Sequence, residues 1–279
     1  MELLGRHLAR YRVEEAKPGE TLFSADCGTE RVLPGGRVLR GKHNLYWKSL
    51  KIYEGRRYDE MAARLIGFAR DWATLLSNEF VRLRAGGVAI DGAALIFPAN
   101  PQPHLPALMG LLVRSGARYY GDEMVNVDPI LRRIHGLPLP LRIDGQDVSL
   151  FPELGLEPSR EPRWKLEVPE GYEGMTTRAA VAVDAIGGTD AEPAPIGWIV
   201  FPDFEPGAET RLEPLGGAPA LFRFTQSVLN LHVWEDRALV LMRDLIESAP
   251  VSRLVVGSLE EAADLVIQTA PSMVEEVRT

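Results

Sequence analysis

One cysteine, Cys27, and five histidines leave this 279-residue sequence little with which to build a disulfide framework or a Cys/His metal site. No metal-ligand spacing of those residues occurs, so the chain suits a reducing compartment, and the cytoplasm is the expected location. Lys and Arg never form a block, and the formal net charge is −8, which argues against nucleic acid or an anionic membrane as a partner. No apolar run approaches membrane-spanning length, and Met1 to Arg12 scatters Arg6, His7, Arg10 and Arg12 among its apolar residues, so neither a span nor a signal peptide is expected. Nucleophilic hydrolase chemistry has no G-x-S-x-G elbow to rest on, and the dinucleotide glycine fingerprint is missing too. There is no internal repeat and no low-complexity tract.

What is present is an ordinary globular composition, 46% hydrophobic and 25% charged, enough for a sizeable core. From Tyr58 to Phe80, Met61, Leu65, Phe68, Trp72, Leu75 and Leu76 recur at helical spacing and predict an amphipathic helix. Val81 to Ile90 and Ala93 to Phe97 read as strands joined by Asp91-Gly92, a dipeptide suited to the positive φ angles of a tight hairpin. A proline cluster, Pro98 to Pro106, leads into a helix over Ala107 to Ser115, with Pro106 tolerated in its first turn.

Gly116 ends that helix, Ala117 to Tyr120 resumes as a strand, and Met124 to Val127 forms another before Asp128-Pro129. Further strands are expected at Thr176 to Ile186, Gly197 to Pro202, Arg211 to Pro214 and Val251 to Val256, with a mobile loop near Gly187 to Pro195. Helices are expected at Ala218 to Leu231, Glu235 to Ala249 and Leu259 to Thr269. The expected division is an N-terminal extension over residues 1–57 and one α/β domain over 58–279.

Two segments carry a family resemblance. The first runs from Ala93 to Pro98 through Leu111-Leu112-Val113-Arg114-Ser115-Gly116-Ala117-Arg118-Tyr119-Tyr120-Gly121-Asp122-Glu123 to Val127-Asp128-Pro129. The second runs from Ile199 to Leu215. Together they resemble the HPr serine kinase family, over roughly Phe80 to Ile267. The resemblance implies an α/β fold like that of the HPr kinase C-terminal domain and PEP carboxykinase, a P-loop fold with a mixed sheet and flanking helices. It also implies an acidic pair after the helix and strand, here Asp122 and Glu123, as catalytic base and magnesium ligand.

The family's Walker A loop would fall on Ala99, Asn100, Pro101, Gln102, Pro103, His104, Leu105 and Pro106. Its length is kept and its signature residues are gone. Such a loop works through backbone N–H groups aimed at phosphate oxygens, a lysine charge and a hydroxyl on magnesium. Pro101, Pro103 and Pro106 have no N–H, no glycine supplies the unusual backbone angles, and Leu105 cannot replace the lysine. His104 is the one residue of the loop able to carry positive charge. A histidine common before the loop is Arg84 here, and the arginine of a Pro-Arg-Pro-like stretch is missing from Leu137-Pro138-Leu139-Pro140.

The leading expectation is therefore a pseudokinase that binds a protein or peptide within a peptide-modification pathway, with no cofactor and with room for a homo-oligomer. The rival is an active kinase using ATP and magnesium, in which Asp122 and Glu123 hold the metal and Arg84, His104 or Arg211 replaces the lysine. A small-ligand sensor is the third reading. Each residue also has a plainer role: Asp122 and Glu123 orient local backbone, and Arg211 pairs with Glu209 or Glu213. Tyr46, Trp47, Tyr53, Tyr58 and Trp72 interleave with Lys42, Lys48, Lys51, Arg56 and Arg57, a pattern that fits a protein-binding face better than a nucleic-acid one in so acidic a chain.

Overall fold

The computed structural model describes residues 23–56, helical positions 58, 61, 62, 64, 65, 67 and 68, and residues 78–99, 104–137, 139–155 and 178–278. It is a mixed α/β fold with several sheets. The chain divides into two compact units, one within residues 1–74 and 161–177, the other within 75–160 and 178–279. By this division the helical positions that begin at Tyr58 group with the N-terminal residues. Asn78 to Phe80 lie in a turn, and the end expected for that helix is not helical.

The first unit holds strands β1 (Phe23–Asp26), β2 (Glu30–Val32), β3 (Val38–Arg40), β4 (His43–Trp47) and β5 (Leu50–Gly55). They form an antiparallel sheet in the order β1-β4-β5 and a β2-β3 hairpin. Leu45 is fully buried in the central strand, opposite Ala25 and Tyr53, and the Phe23 and Phe68 rings stack at 6.0 Å. The basic, aromatic stretch is partly neutralised, because Lys42 and Lys51 both pair with Glu54.

The second unit is built on a nine-stranded sheet. Its strands are β6 (Val81–Leu83), β7 (Ala85–Ile90), β8 (Ala93–Pro98), β9 (Arg118–Gly121), β10 (Val125–Val127), β11 (Arg133–Gly136), β14 (Ala194–Phe204), β15 (Arg211–Pro214) and β16 (Val251–Val256). The path runs β6-β10-β11-β14-β8-β7-β9, and β16 joins β14 to β15. A separate pair, β12 (Leu141–Asp144) and β13 (Arg178–Val181), is antiparallel. The helices are α1 (Leu105–Arg114), α2 (Gly217–Gln226), α3 (Leu231–Trp234), α4 (Asp236–Ser248) and α5 (Leu259–Arg278).

Sheet alternation sorts the core into two layers. Trp198 and Val200 pack with residues of α1 and α5, whereas Ile199 and Phe201 pack with residues of α2 and α4. Successive residues of a strand point to opposite faces, so β14, buried on both, reads as a continuous apolar run. Gly197 interrupts it: a Cβ there would lie 2.7 Å from that of Ala93, and the register with β8 shifts at this point.

Further sequence expectations change, and the helix expected over Ala218 to Leu231 ends at Gln226, with Leu231–Trp234 forming a short helix of its own. The strand expected from Val81 to Ile90 is broken at Arg84 into β6 and β7. Only Arg178 to Val181 of the segment 176–186 is strand, followed by a 3-10 turn at Val183–Ile186. The loop expected near 187–195 is hydrogen-bonded instead: Tyr119 N donates to Thr189 O at 2.8 Å, Ala191 N donates to Tyr119 O at 2.8 Å, and β14 already begins at Ala194. Helix α5 continues past Thr269 through Pro271, because buried Ala270 and Val274 hold its far half on the core.

Candidate functional site

Strands β8, β14 and β16 are mutually parallel, and their carboxyl ends are where a ligand is expected in an open α/β sheet. Ala99 follows β8 at this end, and His104 stands at the start of α1. Ala99 N donates to Arg84 O at 3.2 Å, and Ala85 N donates to Glu123 O at 3.2 Å. The hairpin of β7 and β8 and the pairing of β9 with β7 thus gather Ala99, Arg84, Asp122 and Glu123 at the loop's base.

Both acids of the pair are engaged by one residue. Arg142 N donates to Asp122 Oδ2 at 2.8 Å, and Arg142 Nη1 lies 3.0 Å from Glu123 Oε1 and 3.1 Å from Oε2. Asp122 is buried. Burial, then the neighbouring Glu123 charge, pushes its carboxyl up to about 6, against the lowering effect of its bonds to Arg142 and Tyr119. Arg142 stands two residues beyond Pro140.

Strand β12 carries the chain from Arg142 to Asp144 and then to Asp147, whose N donates to Asp144 O at 2.9 Å. The Asp147 carboxylate lies 3.1 and 3.0 Å from His104 Nδ1 through its two oxygens. Burial pushes the Asp147 carboxyl up, His104 pulls it down, and Asp144 raises it again. The His104 ring is tilted against that of Phe204, centre to centre 5.4 Å, at the end of β14. The one basic residue of the loop is therefore committed to a carboxylate.

Leu105 and Pro106 are buried, as is every other residue of α1 through Val113. His104 forms the N-cap with no side-chain capping bond. The entrance to α1, where a phosphate would need free N–H groups and a cation, is built from apolar side chains and a proline. Gln102 lies outside the described residues. Arg84 is brought to the site and is exposed. Arg211 is not brought there: it belongs to β15, three strand spacings or about 14 Å from β8, where Nε meets Glu213 Oε1 at 2.8 Å and Nη1 meets Glu209 O at 3.2 Å. Among the described residues, no three His, Cys, Asp or Glu side chains group as a metal site.

A second cluster, not anticipated from sequence, lies along β14, β15 and β16. Arg253 bonds Asp203 at 2.6 Å, Glu205 at 2.6 Å and Glu213 at 2.8 Å. Arg223 also engages both oxygens of Asp203, while its guanidinium lies 5.2 Å from the Phe201 ring centre. Burial raises the Asp203 carboxyl, but the bonds from Arg223 and Arg253 outweigh it and hold the group below its ordinary value. A depressed folded pKa gives stability that is present above the unfolded value near 3.8 and lost as pH falls through the folded one. Asp203→Asn is accordingly expected to flatten the acid limb of a stability-versus-pH curve; an unchanged limb would remove Asp203 from the account.

The whole sequence matches no protein-family model and no curated protein. No helix among the described residues is long and apolar enough to cross a membrane.

Proposed function

We propose that this chain is a non-phosphorylating relative of the HPr serine kinases, with a P-loop-type α/β unit whose nucleotide site has been converted to structure and whose role is to bind a protein or peptide. The observation that carries this reading is the contact of His104 with both oxygens of Asp147. The one basic side chain of the loop faces a carboxylate where a kinase would present a cation to phosphate. The acidic pair is likewise held by Arg142. A binding role draws support from the β10–β11 turn, where Ile130 and Leu131 are 85% and 64% exposed. Arg132 ties this turn to Asp244 of α4 at 2.7 Å, and α4 itself exposes Leu239 and Val240. Exposed apolar side chains grouped in this way suit a protein-docking face.

The raised carboxyl of Asp122 favours a second reading, an active phosphotransferase, because a general base works best near its operating pH. Thermal unfolding with and without millimolar Mg-ATP separates the two. Ligand at a hundred times its Kd stabilises the folded state by about 2.7 kcal/mol, or several degrees in Tm. The expected result is no shift. A clear shift, lost in Asp122→Asn, would overturn the pseudokinase reading in favour of the second.

A further inference from the structure

At the far end of β8 from the loop lies a cleft of about 480 Å³ in the second unit. The β7–β8 turn, the exit of α1, the start of β14 and one face of α5 enclose it. Its volume is within the range of small-molecule sites. Ala89, Ile90, Ile267 and Pro271 give it apolar walls, and Arg118, Glu192 and Asp91 give it charge of both signs.

Two of these charged residues are anchored through groups other than the ones they offer. Arg118 Nε donates to Asp190 O at 3.0 Å, which fixes the guanidinium plane and leaves both terminal nitrogens for a bidentate acceptor. The Glu192 carbonyl accepts the Tyr120 hydroxyl at 2.7 Å, so its backbone is pinned to a buried ring while its carboxylate stays exposed. Arg118 and Glu192 line one cleft, yet no ion pair joins them.

We propose that this cleft binds a small zwitterion, an α-amino acid or dipeptide. Its carboxylate lies on the Arg118 guanidinium, its ammonium on the Glu192 carboxylate, and its side chains rest against Ile90, Ile267 and Pro271. An anion alone would leave Glu192 facing it, and an amine alone would leave Arg118 unanswered. A ligand with both ends charged answers each, and fixed partners lower the ordering lost on binding.

The experiment is calorimetric titration of the intact chain with Ala-Leu, N-acetyl-Ala-Leu and Ala-leucinamide, repeated on Arg118→Gln and Glu192→Gln. Ala-Leu is expected to bind saturably, and capping either end to weaken it about tenfold or more. Arg118→Gln should lose the preference for the acid over the amide, and Glu192→Gln the preference for the free over the acetylated amine. Both side chains are exposed, so each variant should fold like its parent. No saturable binding up to about 10 mM, or equal binding of all three ligands, would overturn the proposal. Neither result bears on Mg-ATP, which concerns the other end of the sheet.

Discussion

Trp198→Ala is expected to lower the unfolding free energy by about 3–5 kcal/mol, the usual range for deleting a buried indole. Trp198 is fully buried in the long central strand, among residues of α1 and α5. Its Nε1–H donates to Ser252 Oγ on neighbouring β16 at 3.1 Å. Truncation therefore opens a cavity and leaves a buried hydroxyl without its donor, two penalties of the same sign. For a unit of this size the change amounts to roughly 6–20 °C in Tm, readable by calorimetry or near-UV dichroism. Trp198→Phe weights the two parts differently, since it removes the hydrogen bond and leaves a much smaller cavity than alanine does. A loss under about 1 kcal/mol for the alanine variant would mean that the layer between β14 and α1 collapses readily around the gap.

The second large effect has the opposite sign. The folded-state pKa of Asp122 is raised from 3.8 to about 6. Between those values the folded chain holds a proton that the unfolded chain has released. The contribution of the group is full below pH 3.8 and is lost as pH rises through 6, so at pH 8 the buried charge costs on the order of 2–3 kcal/mol. Asp122→Asn removes the charge and keeps an oxygen for Arg142 N–H, while its amide can donate to the Tyr119 hydroxyl. The variant is expected to be more stable than the parent by about 1–3 kcal/mol at pH 8, with the gap narrowing as pH falls through 6 and closing only below the unfolded value of 3.8. Chemical denaturation across that pH range measures it. A variant destabilised equally at every pH would show that the carboxylate is the favoured form, satisfied by Arg142 despite its burial.

The parts of this fold that show in the sequence are those whose own residues enforce them. Strand β16 is a valine-rich run starting after Pro250, and its limits agree with expectation. Strand β8 is an apolar run that ends on Pro98, and β10, Val-Asn-Val, stops before Asp128-Pro129. By contrast β11, Arg-Ile-His-Gly, and β12, Leu-Arg-Ile-Asp, carry too little apolar pattern to announce themselves. They exist because β10, β14 and β13 offer them partners. The acidic pair was visible as a pair, but its neutralisation was not, since Arg142 acts from β12 and Asp147 reaches His104 from the turn beyond it. Pro271 reads as a helix breaker by local rules, and only the burial of residues on either side lets α5 run through it.

The sharing of β14 among three partners governs the order in which the sheet is completed. Its first residues pair with β11, its last six with β16, and β8 runs beside its middle. A chain emerging from the ribosome can form the β7–β8 hairpin early, but the other edge of β8 stays open until residues 194–204 arrive. That edge, Ala-Ala-Leu-Ile-Phe-Pro, is apolar along its whole length, and an open apolar edge invites pairing with another chain. A nascent fragment ending before Ala194 is thus the species in which a chaperone, or an aggregate, finds its handle. In the finished protein β14 covers that edge.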